Sequence, residues 1–524
     1  MQAKAGTLKD SVLDCPKTKH AKVAPSNENF DKTQQLHKKI GQSKMAPIKN
    51  LQFSPKNTAI SKKIFKIAVK ITRHSKMKDF TVGKTYPQLI NYAIPLILGN
   101  FFQLTYNAVD SIILGRFAGK ECLAAVGIAN PVMNIMIFLI VGICLGASII
   151  MSEFYGAKDE KKLKNEISTT IAIGFCFTLV VSVVCFIFVK QLLRAIRCPE
   201  DLIEHTANYL RVVFAGLIFT FFYNVYASAL RAAGDSTSPI ICVAISAVLN
   251  GILDYFLVAV CGLEMHGAAF ATVASQLISC ILIIVYVYKK VPLLALKPRE
   301  FKVERSLILR TVNYSWATAL QQCVLYVGKL LVQCAVNPLG VDAIATFNAG
   351  TKIDDFCYQP TQSIGHTITT FMAQNRGAKK PARQREGFLK GFSLEWIYII
   401  VTAILVILFR KQLILLFAGR NESEVLRLGE KYLFVMACLY FLPATTNGIQ
   451  AFFRGTGDIK ITVISTTSQI IFRVIFSFIF CKMFGIIGTA YACLAGWIAM
   501  LAVELPIFFF AWKNLKKESQ GVSQ

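Results

Sequence analysis

The chain has 524 residues, 54% hydrophobic and 17% charged, with a mean hydropathy of +0.51. A soluble globule carries about 25% charged residues, so a water-soluble fold is excluded. The net charge of +27 would suit nucleic acid, but residues 1–76 hold 17 Lys/Arg against 4 Asp/Glu and most of the remaining excess sits in alternate loops, which excludes that partner.

In chain order, residues 1–76 are polar, Lys-rich and nearly free of aromatics, the composition of a disordered basic extension without a signal-peptide core. Ile60, Ile64, Phe65, Ile67 and Ile71 among Lys62, Lys63, Lys66 and Lys70 read either as a basic helix on anionic lipid or as solvated tail. Met77 opens a natural start just before the first span, so transport should not need the extension.

From Tyr86 to Trp512 come twelve apolar runs, each long enough to cross a bilayer core of about 30 Å as a helix. They cover roughly 86–114, 124–152, 168–189, 207–230, 239–260, 267–288, 311–335, 344–372, 392–409, 432–453, 461–483 and 488–512. A membrane β-barrel would show shorter alternating segments, so the expected fold is an all-α polytopic membrane protein. The expected organisation is an N-lobe at 77–288, a linker at 289–310, a C-lobe at 311–512 and a tail at 513–524.

Basic clusters follow spans two (Lys158, Lys161, Lys162, Lys164), six (Lys289, Lys290, Lys297, Arg299, Lys302, Arg305) and eight (Arg376, Lys379, Lys380, Arg383, Arg385). The positive-inside rule then makes these loops and both termini cytoplasmic, in a multi-pass protein of the plasma membrane with lipid around it.

Ionisable groups inside the spans carry the functional argument, because each costs about 2.5–3.5 kcal/mol to insert. Asn100, Gln103, Asn107 and Asp110 fall within about 80° on the first span, a stripe that must face a cavity or another helix. Asn250 and Asp254 stand i,i+4 on the fifth span and share a face. Asp110 and Asp254 could share a proton, since close like charges raise one carboxyl's affinity for it, or hold a monovalent cation. The competing reading is helix–helix hydrogen bonding.

In the C-lobe, Lys329, Asp354 and Asp355 either form a buried ion pair between the lobes or place Asp354 solvated at the mouth of the eighth span. Glu504, before Pro506, reads as a kink-site residue near the cytoplasmic end. Pro95 interrupts hydrogen bonding on the first span, either as a hinge or as a static kink. The cysteines lie mostly in apolar runs and the six histidines are scattered, so no metal site, catalytic motif, cofactor or enzyme activity is expected.

The chain also repeats itself. Arg231-Ala-Ala-Gly234-Asp235 returns 223 residues later as Arg454-Gly-Thr-Gly457-Asp458. Tyr92 answers Tyr314, and Gly156-Ala157-Lys158 answers Gly377-Ala378-Lys379. Six spans per half is an even number, so the halves are parallel repeats with a cavity between them, as transporters are built. The glycines of the two loops should cap helices, with Arg and Asp clamping neighbouring loops. A shift of 222, that of Tyr92 to Tyr314, places Val332 at the counterpart of Asp110, and a shift of 223 places Arg473 at that of Asn250 and Ser477 at that of Asp254, so the acidic pair belongs to the N-lobe alone.

The first span, Ile94-Pro95-Leu96 continuing to Tyr106-Asn-Ala-Val-Asp110-Ser-Ile-Ile-Leu-Gly115-Arg116, with the twin loops and Asn250-x-x-x-Asp254, resembles the multidrug and toxic compound extrusion (MATE) family from about Asp79 to Trp512. The resemblance implies two six-helix lobes around a central cavity and, acting as a monomer, export of amphiphilic cationic small molecules against Na⁺ or H⁺. It also implies a further oxygen ligand at Thr272. The alternatives are a lipid or lipid-linked oligosaccharide flippase of the wider superfamily and an intramembrane enzyme.

Overall fold

The computed structural model describes residues 77–521 except 118, 197 and 418–421; side chains at 104–116, 119–121 and 123 are not described. The expectations for residues 1–76 and for the side chains of Asn107 and Asp110 therefore lie outside the described residues.

The described chain is almost wholly helical, without strands. The first half forms α1 (Thr85–Phe117), α2 (Gly119–Gly156), α3 (Glu160–Ala195), α4 (Glu200–Ala232), α5 (Thr237–Asp254, continued by a π-helix at Tyr255–Val260) and α6 (Glu264–Lys290). The second forms α7 (Arg305–Val336), α8 (Val341–Gly377), α9 (Pro381–Leu415), α10 (Ser423–Leu439), α11 (Phe441–Thr456), α12 (Ile459–Phe484) and α13 (Ile487–Ser519). The tenth span is thus two helices. Pro443 has no N–H to give the carbonyl of Leu439, and the chain breaks at Tyr440. The helix α13 runs seven residues past the expected end of its span.

Among the described residues nine helices are long and apolar enough to cross a membrane. Absent from those nine is α8, which packs on α1, α2, α9, α10 and α11 and buries many of its polar residues, Thr346, Asp354, Thr361, Ser363, Thr367, Gln374 and Asn375 among them. The two largest apolar clusters each lie within one half: one of buried residues spans Ala125 to Ala269, another Val332 to Trp497. Smaller ones join the halves, as where Tyr92 clusters with Phe371 and Ile149 with Ala373 and Ile459.

The halves meet along α2–α7, α2–α8 and α1–α8. Ser315 Oγ donates to Ile143 O at 2.9 Å and Thr318 Oγ1 to Gly142 O at 2.5 Å. The two Gly-Ala-Lys segments meet there as well. A methyl on Gly156 would strike the backbone of Gln374, and one on Gly377 the backbone of Glu153. Each glycine thus sits against the residue three positions before the other, which is the geometry of a two-fold. Lys158 and Lys379 take matching left-handed conformations (φ 58° and 55°). Glu153 pairs with Arg310 at 2.5 Å and also with Arg376, fastening α2 to α7 and α8. At the connection between halves, Lys164 bonds Glu300 at 3.0 Å and holds that carboxyl below its ordinary range, present as carboxylate.

Candidate functional site: buried polar groups of the two lobes

In the N-lobe, Asn250 and Asp254 are both fully buried. They lie on α5, which packs against α1 and α6. Asp254 is the last α-helical residue before the π-helix. Such a local widening re-aims side chains and recurs at functional positions. The amide of Asn250 has no hydrogen-bond partner among the described residues, which in a membrane interior costs about 1–3 kcal/mol unless something satisfies it.

Two contacts fix the register around this pair. The Phe117 and Tyr255 rings meet edge-on at 5.7 Å, tying the end of α1 to the residue after Asp254. Counting back along the two helices, Asp110 comes level with residue 248, about 3 Å from the level of Asn250 and about 9 Å below Asp254. Between α5 and α6, Ser246 Oγ donates to the carbonyl of Ser275. The antiparallel count from that bond places half-buried Thr272 at the level of Asn250. Asp110, Asn250 and Thr272 therefore share one layer, with Asp254 one turn above.

Other expected residues are dispersed. Asn100 donates to Ser363 on α8 at 3.0 Å, a bond between halves, while Gln103 is exposed. Pro95 lies inside a continuous α1. Its missing N–H leaves the carbonyl of Asn91 without a helical partner, and Lys78 Nζ donates to that oxygen at 3.0 Å. Next to it the carbonyl of Tyr92 accepts from Ser236 Oγ at 2.9 Å.

The C-lobe charges differ from both sequence readings. Lys329 is not buried between the lobes: its side chain is 56% exposed and pairs with Asp355 at 2.7 Å. Asp354 is not solvated but 6% exposed, accepting from Tyr432 at 3.0 Å and Tyr440 at 2.6 Å. Tyr440 is the break in the tenth span, so Asp354 fastens that break to α8. Arg473, on α12, lies within electrostatic reach of it. Asp354→Ala would strand the tyrosines and Arg473 without their acceptor. Thermal unfolding in detergent should show a loss of about 3–5 kcal/mol, and much less for Asp354→Asn; equal stability for both would refute the assignment.

The twin loops are only in part the clamps expected. Gly234 (φ 84°) and Gly457 (φ 100°) take the left-handed conformation that ends a helix. Asp235 caps α5, accepting from the backbone of Thr237 and Ser238, each at 3.0 Å. Tyr92 donates to Arg231 O at 2.8 Å and its counterpart Tyr314 to Gly457 O at 3.1 Å, so each tyrosine reaches the loop motif of its own half, at carbonyls three positions apart in the repeat. Arg231 donates to Ser228, one turn back on its own helix, at 3.3 Å. Asp458, at the start of α12, accepts weakly from Thr456 at 3.4 Å. Arg454 departs from the expectation: it is 6% exposed and turned into the C-lobe interior, donating to Gln450 at 2.8 Å. Glu504 lies in the same interior, fully buried and accepting from Ser465 at 2.7 Å, rather than at a kink near the end of its span. The sequence reading passed over Glu153, Glu166 and Glu395. Glu166 and Glu395 are fully buried, and Glu395, inside an apolar run, carried the signal that singled out Asp254.

A duplicated bundle of long apolar helices with buried ionisable groups between them defines a multi-pass membrane transporter, not an enzyme. The family model MatE matches twice, over residues 95–256 and 317–479, and the chain belongs to that family, the multidrug and toxic compound extrusion transporters. The probable multidrug resistance protein YoeA of Bacillus subtilis is 29% identical over 375 residues, 70% of this chain and 81% of that one. YpnP of the same organism, also described as a probable multidrug resistance protein, is 26% identical over 411 residues, 78% and 92% of the respective chains. An outward-facing multidrug resistance MATE transporter of the MOP superfamily superposes with a TM-score of 0.78 at 21% identity, covering 84% of this chain and 99% of its own.

Proposed function

We propose that this protein is a secondary active antiporter of the plasma membrane, a monomer that exports amphiphilic cationic small molecules in exchange for Na⁺ or H⁺ by alternating access of its two lobes around a central cavity. The observation that carries this reading is the N-lobe layer of Asn250 and Thr272 at the level of Asp110, with buried Asp254 one turn above. One carboxylate and neutral oxygens within that layer suit a hard monovalent cation or a bound proton, with Asp254 a second acidic group one turn away. The relatives' descriptions as multidrug resistance proteins support the substrate class.

In this proposal the bonds between halves form a seal at the end bearing the twin loops. Substrate would be held in the cavity toward the other end, and occupation of the N-lobe layer by the coupling ion would favour its release. Proteoliposomes with an imposed Na⁺ or H⁺ gradient test the reading: gradient-driven movement of an amphiphilic cation is expected under one of the two. Gradient-independent scrambling of lipid would favour the flippase reading instead.

The sealed end is taken as cytoplasmic from its basic loops. A cysteine replacing exposed Arg299 in the connection between halves should react in intact cells only with a membrane-permeant maleimide. Ready labelling by an impermeant reagent would invert the topology.

A further inference from the structure

The deepest concentration of polar groups lies away from the N-lobe layer. Glu395 on α9 and Glu504 on α13 are both 0% exposed, and Arg454 on α11 is 6% exposed. The guanidinium of Arg454 lies within electrostatic reach of both carboxylates. Among the described residues it forms no direct ion pair with either, and its Nη2 goes to Gln450 Oε1 at 2.8 Å. Glu395 accepts at one oxygen from Asn447 Nδ2 at 2.7 Å, and Glu504 at one oxygen from Ser465 Oγ at 2.7 Å. The second oxygen of each carboxyl, and Nε of Arg454, are buried with no hydrogen-bond partner among the described residues.

The charge count does not close. Two carboxylates face one guanidinium. The neighbours from other elements are neutral: Gln321 on α7, Gln450 and Asn447 on α11, Ser465 and Thr466 on α12. Among the described residues Arg454 is the one charged group within electrostatic reach of either carboxyl; Arg231 on α4 reaches neither. His366 on α8 lies within reach of both guanidiniums but of neither carboxyl. A net negative charge in a dry interior is costly, and the cheapest remedy is one bound cation. Na⁺ would need several oxygen ligands. Gln450 Oε1 is already taken by Arg454 and by Gln321 Nε2 at 2.9 Å, and Thr466 Oγ1 accepts from both glutamines at 2.9 Å. A proton needs only one of the two bare carboxyl oxygens.

We infer that the C-lobe holds one bound proton, carried by one of the two acids Glu395 and Glu504 that act on Arg454, at a site separate from Asp110 and Asp254. The site is an addition to the duplicated plan. Arg454 has its counterpart in Arg231, but the counterparts of Glu395 and Glu504 by the same shift of 223 are Ala172 and Ile281. The inference goes beyond the proposed transport reading and would stand if the coupling residues lay elsewhere.

The test is infrared difference spectroscopy on the full chain in lipid nanodiscs at neutral pH, reading the carbonyl stretch of a protonated buried carboxyl. Wild type minus E395Q and wild type minus E504Q should each show loss of the same single-acid band, because the remaining carboxylate then balances Arg454 unprotonated. R454Q should gain one such band, both acids now being neutral. Thermal unfolding should show E395Q and E504Q near wild type and the E395Q/E504Q double variant markedly less stable, since it strands the guanidinium. The two single variants are independent arms, and the difference spectrum of either one decides the matter if the other does not fold. Difference spectra without the acid band overturn the inference. So does Na⁺ raising the melting temperature of wild type but not of E504Q, which would make the site a sodium site.

Discussion

Asp254→Asn and Asp110→Asn should each abolish gradient-driven efflux while leaving insertion and folding intact. Asp254 is completely buried, and a charge held in a membrane interior must be matched by a partner or an ion. An isosteric amide keeps the volume and most hydrogen bonds but cannot bind a proton or neutralise a cation. Its fold should be as stable as wild type or more so, since a desolvated charge has been removed. The variants should therefore bind substrate yet fail to respond to the gradient, much of the substrate affinity coming from the apolar cavity lining. The double variant should be little worse than either single, as for two residues serving one ion. The measurement is substrate accumulation in proteoliposomes under Na⁺ or H⁺ gradients, with expression and melting temperature as controls. Wild-type transport by Asp110→Asn, together with inactivity of changes at Asp354 or Asp355, would move the coupling site to the C-lobe.

The spans were legible because a helix in lipid must be apolar over some twenty residues whatever its neighbours do. What the polar residues inside a span meet was not legible, because that is set by neighbouring helices. The polar helix α8 can carry Asp354 because Tyr432 and Tyr440 receive it, and no local pattern announces two tyrosines 78 and 86 residues downstream. The pairing of Asn250 with Asp254 was legible from helical spacing, being a property of one helix. The layer with Thr272 was not, because it depends on the register between α5 and α6 set by Ser246 and Ser275. Lys329 illustrates the opposite failure. A lysine in an apolar run was read as buried, but its flexible stem carries the ammonium to a half-exposed partner, Asp355. The Gly-Ala-Lys repeat was visible as a repetition, yet only the folded chain shows that its two copies touch.

That contact makes the strongest steric prediction. Gly377→Val, or Gly156→Val, should abolish transport by preventing the halves from closing at the end that bears the twin loops. At both positions a side chain would run into backbone, of Glu153 and Gln374 respectively, and backbone cannot rotate away as a side-chain tip can. Overpacking of this kind costs about 1–3 kcal/mol or more. Each 1.4 kcal/mol is tenfold, so the sealed arrangement should fall by roughly tenfold to a hundredfold relative to the open one. The fold of each half should survive, because the backbone that each new side chain would strike belongs to the other half. Accessibility reports the shift directly. Ala319 is completely buried against Gly142 of the other half, so a cysteine there should resist maleimide in the otherwise wild-type protein and react in the Gly377→Val background. Gly127→Ala is the control, since a methyl at Gly127 meets nothing within 4 Å among the described residues; it should transport normally. Full transport by Gly377→Val, with Ala319→Cys still protected, would show that closure at this end does not depend on the glycine contact, and the alternating-access role assigned to the seal would have to be given up.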